Sequence, residues 1–199
     1  MNHNITFYSE HAAELVRQYD SIESDKIHSA WLDLLPNNGN VLDVGAGSGR
    51  DARFMAKQGV KVIAVEPADE LRMLAMSSTA EPTNIKWLDD SLPLLTRVFS
   101  LKLKFEMILV SALWMHLSDI EQESAIATLS ELLLPHGKLV ITLRYGTFDD
   151  VRTAYPVNIK ILKALGSAHS LKVIRETAIE KDKLDRSAVT WQTLVFQKS

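Results

Sequence analysis

Three glycines at alternate positions, Gly45, Gly47 and Gly49, follow the apolar run Val41-Leu42-Asp43-Val44, with Ala46 and Ser48 between them and Arg50 behind. Glycine reaches positive φ without steric cost and has no Cβ, so such a turn folds sharply and lets a ligand come against its amides. Where a helix begins, those amides point outward together and attract negative charge. Carboxylates surround the turn in sequence. Asp43 precedes the first glycine by two positions, Glu66, followed by Pro67, comes 21 positions after Gly45, and the pair Asp89-Asp90 lies beyond. A carboxylate about 20 residues past a glycine turn has the spacing that accepts both hydroxyls of a ribose. His116 adds an imidazole, which titrates near ~6.5 when unperturbed and can take a proton at neutral pH. Arg144 adds a planar cation suited to a bidentate anion clamp or to a salt bridge at a loop base.

Several chemistries are excluded by what the pattern lacks. A dinucleotide fingerprint requires its third glycine at position 50, where Arg50 stands. A phosphate loop requires a closing Gly-Lys-Ser/Thr, which is absent. There is no cysteine, hence no disulfide, thiolate metal site or cysteine nucleophile. The histidines His3, His11, His28, His136 and His169 show no ligand spacing, so no metal site is expected. A net charge of -3 gives no electrostatic drive toward nucleic acid or anionic membrane. No stretch approaches the ~18 apolar residues of a membrane span, and residues 1 to 11 are polar, so a cytoplasmic protein is the expectation.

The elements that must hold these residues are legible as alternating strands and helices. With 199 residues, 46% apolar and 24% charged, the chain has the size and composition of one folded domain without a separate substrate domain. Ser9 is placed to cap a helix with apolar positions Ala12, Leu15, Val16 and Tyr19, and a second helix from near Ser24 repeats the spacing at Ile27, Ala30, Trp31 and Leu34 before Pro36. After the glycine strand, Arg50 to Gln58 reads as a helix ended by Gly59, and Val60 to Val65 as a buried strand with Glu66 at its carboxyl end. Asp69 to Ser78 is a helix, Ile85 to Leu88 a strand, Leu92 to Phe99 a short helix and Phe105 to Val110 a fourth strand. Ser111 to His116 caps the sheet, and Ser118-Asp119-Ile120-Glu121 is a capping box whose helix runs to Leu134, where Pro135-His136-Gly137 breaks it. Lys138 to Leu143 is the fifth strand. A loop from Arg144 to Pro156 then leads to a helix ending at Gly166, and Leu171 to Ala178 and Val189 to Gln197 are two strands with no helix between them, hence antiparallel. The alternation specifies a parallel, doubly wound α/β sheet with right-handed crossovers, whose ligand lies beyond the carboxyl ends of its strands.

The stretch from Asp43 to Arg50, with Asp89, the Leu92-Pro93 that follows it, and Trp114-Met115-His116-Leu117, resembles the motifs of the class I S-adenosylmethionine-dependent methyltransferases. The likeness runs from about Asn40 to Leu143 by motif and over the remainder by element order. The nearest group by pattern is one of small bacterial proteins sharing the Gly-x-Gly-Ser-Gly-Arg-Asp turn, Trp-Leu-Asp-Asp-Ser-Leu-Pro and a closing Thr-Trp-x-x-Leu-Val-Phe strand. The resemblance implies a Rossmann-like α/β/α sandwich: a mostly parallel seven-stranded sheet with an antiparallel final strand in residues 40–199, and an N-terminal helical lid in residues 1–39. It implies S-adenosyl-L-methionine as cofactor and S-adenosyl-L-homocysteine as product. Asp43 would then hold the cofactor's amino-acid end or brace the glycine turn, Glu66 the ribose, and Asp89, which the offset of Leu92-Pro93 favours over Asp90, the adenine, with Ser111 nearby. Tyr8, Tyr19, Trp114, His116, Arg144 and Tyr145 would face the substrate, together with Phe7 and Phe148. His116 is either a general base or a scaffold residue, since relatives with unlike substrates carry a similar His.

The implied activity is methyl transfer to an oxygen or nitrogen of a small molecule by a monomer or homodimer. Protein methylation and cofactor binding without turnover are the alternatives. The Asp/Asn-Pro-Pro-Tyr signature of amino-methylating DNA enzymes is replaced by Ser111-Ala112-Leu113-Trp114. Glu66→Ala is expected to weaken cofactor binding by about 1.5–3 kcal/mol through loss of a charge-assisted hydrogen bond. Isothermal calorimetry measures this, and unchanged affinity would remove the ribose role.

Overall fold

Strand residues of alternating parity bury on opposite faces, and that period sets the layers. In the computed structural model, which describes residues 3–22, 29–79, 84–183, 186 and 188–199, the strands are β1 (Asn40–Val44), β2 (Lys61–Val65), β3 (Ile85–Leu88), β4 (Phe105–Ser111), β5 (Leu133–Tyr145), β6 (Leu171–Glu176), β7 (Glu180–Lys181) and β8 (Thr190–Lys198). Leu42, Ile63, Val65, Ile108, Val110 and Ile141 pack on one face with Trp114, Ile126, Leu129 and Leu162. Val41, Val62, Ala64, Met107, Leu109 and Val140 pack on the other with Trp31, Ala52 and Met55. Both faces are thus covered, as a parallel sheet requires.

The strand order is β3-β2-β1-β4-β5-β8-β6, the seven strands expected, and the two-residue β7 pairs with β8 as an eighth. β1 to β5 run parallel to one another, and β8 runs antiparallel to both β5 and β6. Chain order reverses direction between β1 and β4, which opens a crevice at the carboxyl ends of those strands. The sheet is the mostly parallel, doubly wound one with an antiparallel closing strand that the alternation specified.

The helices are α1 (His3–Glu10), α2 (Ala12–Asp20), α3 (Arg50–Lys57), α4 (Asp69–Ser78), α5 (Thr96–Ser100), α6 (Asp119–Leu132) and α7 (Ile159–Ala168). Of these α6 begins at the expected capping box, where the Ser118 amide donates to Glu121 Oε2 at 2.8 Å. No helix among the described residues is long and apolar enough to cross a membrane.

Local expectations failed where a tertiary partner overrode the pattern. Ser9 does not cap α2. It lies in α1, a helix without apolar periodicity, and its hydroxyl accepts from the Glu70 amide at 3.1 Å, while His11 occupies the cap position and turns its side chain back to the Phe7 carbonyl instead of capping α2. Of the helix expected from Ser24, residues 23–28 lie outside the described residues, and Leu32–Leu34 forms a 3-10 turn that sets Trp31 fully into the core. The helix expected from Leu92 starts at Thr96, because the Asp90 carboxylate accepts from the amides of Arg97 at 2.7 Å and Val98 at 3.0 Å. The helix expected to reach Leu134 ends at Leu132, and residues 135–137, expected to separate it from the strand, fall with Leu134 in an irregularity within β5, between the pairs Phe105–Leu133 and Met107–Lys138. Gly166 does not end α7 either. It sits inside that helix because the Phe196 ring fills the space, with Cε1 where a Cβ would stand.

Phe196 is fully buried on β8 and seats α7. Phe196→Ala is expected to cost about 3–5 kcal/mol of stability, read as a lower urea midpoint at unchanged slope.

Candidate active site

The glycine turn takes the conformation that its residues permit. Gly45, Gly47 and Gly49 have φ of 72°, 57° and 75°. A Cβ at Gly45 would collide with Leu113 Cδ1, and one at Gly49 would stand 2.8 Å from Trp87 Cζ2. The Gly45 and Ala46 amides both donate to the Val65 carbonyl, at 2.8 and 2.9 Å, which ties the turn to the end of β2. Glu66 lies just past that strand end and is buried. Its Oε2 accepts from Gly47 N at 3.0 Å and its Oε1 from Ala68 N at 2.9 Å. Burial pushes its pKa up, against these two backbone hydrogen bonds and the Arg72 charge.

The carboxyl end of α2 clamps the turn from the other side. Asp20 accepts from Ser48 Oγ at 2.6 Å and pairs with Arg53 at 2.7 Å, and Arg50 Nη1 donates to the Tyr19 carbonyl at 3.0 Å. No sequence pattern singles out Asp20, whose partners lie 28 and 33 positions away.

These elements enclose a cavity of about 300 Å³ at the carboxyl ends of β1, β2, β4 and β5. The expected cofactor residues Gly45, Ala46, Gly47, Ser48, Arg50, Glu66, Pro67, Asp90 and Ser111 line it, as do the expected substrate residues Tyr8, Tyr19, His116 and Arg144 and the aromatic Phe148. Six others stand outside the lining. Phe7 stacks on His11, ring centroids 4.1 Å apart, with Arg152 over its ring. Gly49 serves the turn. Asp89 faces solvent and pairs with Arg97 at 3.1 Å and Arg72 at 3.7 Å, leaving Asp90 as the acid of the pair on the cavity. Trp114 is wholly buried beneath the site, its Nε1 without a hydrogen-bond partner. Tyr145 turns toward β8 and donates to Gln192 Oε1 at 2.8 Å. Asp43 lies under the turn rather than on the cavity, 1% exposed, with Oδ2 lacking any hydrogen-bond donor. Burial first, then the neighbouring Asp51 carboxylate, drives the Asp43 pKa well up, with Arg50 opposing.

His116 is engaged at both ring nitrogens. Nδ1 lies 2.9 Å from the Thr153 carbonyl and 2.9 Å from Asn4 Nδ2, and Nε2 lies 2.9 Å from the Tyr8 hydroxyl. With Nδ1 donating to Thr153, Nε2 accepts from Tyr8. With Asn4 donating to Nδ1, Nε2 donates to Tyr8 instead. Either tautomer completes the network, so the imidazole reaches the cavity through the tyrosine. Burial holds the His116 pKa below its ordinary value. Sequence reasoning missed Asn4 and Arg152, whose contacts with His116, Thr153 and Tyr8 span 112 to 149 positions, and also Asp182, whose partners Arg186 and Trp191 are near in sequence but carry no motif. Among the described residues no group of three or more His, Asp or Glu side chains is arranged to hold a metal ion.

The arrangement suits a nucleoside-bearing ligand with a cationic tail. A narrow glycine cradle, a desolvated carboxylate beside it and a second, unpartnered carboxyl beneath are what a ribose and an ammonium or sulfonium group require. Residues 8–197 match the family profile described as a methyltransferase domain. The chain belongs to that family. Its relatives include an uncharacterized methyltransferase of Bacillus cereus, 29% identical over 153 residues, a match that covers 77% of this chain but only 65% of the relative. In fold it is similar to the N-methyltransferase NodS of Bradyrhizobium japonicum solved with S-adenosyl-L-homocysteine, at TM-score 0.70, 16% identity and 96% and 97% coverage of the two chains. It is similar also to a TehB-like S-adenosylmethionine-dependent methyltransferase of Corynebacterium glutamicum, at TM-score 0.67, 18% identity and 98% and 100% coverage.

A carboxyl whose folded pKa is raised lends stability that is full below the unfolded carboxylate range and is lost as pH rises through the folded value. Asp43 therefore weakens the ligand-free fold at neutral pH. Asp43→Asn is expected to stabilise the ligand-free protein by on the order of 1 kcal/mol near pH 8 and by much less near pH 5, compared by thermal melts at the two values.

Proposed function

We propose that the chain is an S-adenosyl-L-methionine-dependent methyltransferase acting on an oxygen or nitrogen of a small molecule. The observation that supports this most is the buried Glu66 carboxylate, fixed by the Gly47 and Ala68 amides beside the glycine turn and within the cavity wall. The family match and the S-adenosyl-L-homocysteine bound in the Bradyrhizobium N-methyltransferase support the same donor. Glu66 receives the ribose hydroxyls, Asp90 lies where the adenine end falls, and Asp43 beneath the turn attracts the cationic amino-acid end.

The donor supplies an activated methyl group, and transfer is an in-line displacement by the acceptor's lone pair. The residues of this chain bind, orient and exclude water, and holding the two reactants in line is worth about 7–11 kcal/mol. α1 and α2 act as a lid, since Tyr8 and Tyr19 line the cavity while Ala12, Ala68 and Leu71 pack these helices against α4. The enclosure favours a small acceptor over a protein surface. Where the acceptor has a proton to lose, Tyr8 contacts it and His116 receives the proton through the tyrosine hydroxyl, which lies 2.9 Å from Nε2.

Calorimetric titration with S-adenosyl-L-homocysteine and, in parallel, with NAD is expected to give binding of the first alone. Binding of NAD instead would overturn the reading, and donor binding without turnover across an acceptor screen would mark a non-catalytic binder. Once an acceptor is found, His116→Ala is expected to slow transfer ~100-fold with S-adenosyl-L-homocysteine affinity unchanged. The wild-type rate is expected to rise with pH through a value below that of free histidine, and the variant to lose that step.

A further inference from the structure

The cavity has two ends of different character. The end beside β1 and β2 holds the glycine turn and Glu66. The other, past the carboxyl ends of β4 and β5, holds Tyr8, His116, Phe148 and three arginines. Two of those arginines are neutralised. Arg152 pairs with Asp150 at 2.6 Å, and Arg186 pairs with Asp182 at 2.8 Å, whose carboxylate also accepts from Trp191 Nε1 at 2.6 Å.

Arg144 is different. It is 6% exposed and has no carboxylate at ion-pair distance among the described residues. Two of its N–H groups donate to the carbonyls of Gly146 at 2.7 Å and Thr147 at 3.2 Å, and its Nε is buried with no acceptor at all. A guanidinium has five N–H donors, so this one is under-used as well as unpaired. Its Cζ stands 4.2 Å from the Phe148 ring centroid, and Arg152 Cζ stands 3.9 Å from the same centroid. The Phe148 ring in turn stacks on His116, centroids 5.4 Å apart. Burial, then the charges of Arg186 and Arg152, holds the Arg144 pKa down. A buried cation with no carboxylate at ion-pair distance among the described residues, beside two further arginines and opposed only by the more distant Tyr8 and Asp182, is relieved by an anion that hydrogen-bonds to it.

We infer that the methyl acceptor is an acid: it carries an oxyanion, carboxylate or phosphate, that seats on Arg144, with its body against Phe148 and Tyr8. This rests on the methyltransferase reading and adds the substrate class. Register separates the seat from the donor's end of the cavity. Thr142 pairs with Ser111, so Arg144 lies two residues past the end of β4, and β4 stands between β5 and the glycine strand. Arg144 therefore faces the acceptor's side of the reaction and not the donor's own carboxylate. Tyr8 and His116 lie on the same side, so the oxyanion would hold the acceptor where its nucleophile meets the tyrosine hydroxyl.

The test uses the wild-type chain, Arg144→Ala and Arg144→Gln, each saturated with S-adenosyl-L-homocysteine and titrated by calorimetry with benzoate, phenyl phosphate and, as a neutral control, benzyl alcohol. The wild type is expected to bind at least one of the two anions and not the alcohol, and both variants to bind that anion about tenfold more weakly or worse. Arg144→Gln keeps an N–H donor without the charge, so it answers the question should the alanine variant not fold. Which anion binds more tightly assigns the oxyanion as carboxylate or phosphate. Binding of neither anion, equal binding of the alcohol, or undiminished anion binding by the variants would overturn the inference. So would loss of S-adenosyl-L-homocysteine affinity in a variant that still unfolds cooperatively, which would give Arg144 to the donor's carboxylate. If the wild type binds no S-adenosyl-L-homocysteine, the donor reading fails by itself, and the same anion titrations on the ligand-free protein still decide the role of Arg144.

Discussion

One backbone oxygen, the carbonyl of Val65, accepts from two consecutive amides of the glycine turn, Gly45 and Ala46. The site depends on that contact. It bends the chain leaving β1 across the end of β2 and so sets Gly47 N against the Glu66 carboxylate. A turn so bent needs three residues at positive φ, and two of the three have a neighbouring side chain where a Cβ would go. The parallel sheet below supplies the rigidity, because its two apolar faces are both packed and neither strand can slide without exposing one of them. A flexible chain of glycines is thereby held as a fixed cradle.

Around this cradle the protein places charges that it does not fully compensate. Glu66 is buried but accepts two amide hydrogen bonds, which offset much of its desolvation in a dry site. Asp43 and Arg144 are buried with polar atoms left unsatisfied, one beneath the turn and the other past the end of β4. Folded structures leave few such groups, and those they leave gather where a ligand completes them. One is an acid beneath the glycine turn on β1 and the other a base on the cavity wall at the end of β5, so the fold carries an incompletely satisfied polar group on each side of β4.

The sheet was legible because β-branched and apolar runs such as Lys61–Val65 and Phe105–Ser111 carry their burial in their own composition. The glycine turn was legible because positive φ at alternate positions demands glycine, and the position of Glu66 because it follows directly on a strand whose composition marks its end. Other features were not, for identifiable reasons. α1 has no apolar stripe, and beside the packing of Ile5 and Tyr8 on α4 it is fixed by polar contacts, Asn4 to Thr153 and Ser9 to Glu70, which no local window contains. Asp89 and Asp90 are chemically alike, and only the loop that ties Asp90 to the Arg97 and Val98 amides decides which of them reaches the cavity. Trp114, expected from its position after a strand to face the substrate, is directed into the core by the 3-10 turn Trp114–His116, which leaves His116 on the cavity. Gly166 reads as a helix stop until the Phe196 ring is seen to occupy its missing side chain.

The Asn4 contact has a consequence for how the molecule is made. Asn4 Oδ1 accepts from the Thr153 amide at 2.8 Å across a separation of 149 residues. During translation β1, β2 and β4 can pair long before Thr153 leaves the ribosome, since domains assemble as their parts emerge. α1 can settle on α4 once Glu70 and Leu71 emerge, but its Asn4 end cannot bond Thr153 until the loop after β5 is made. A nascent chain halted short of Thr153 would therefore hold α1 against α4 without that latch.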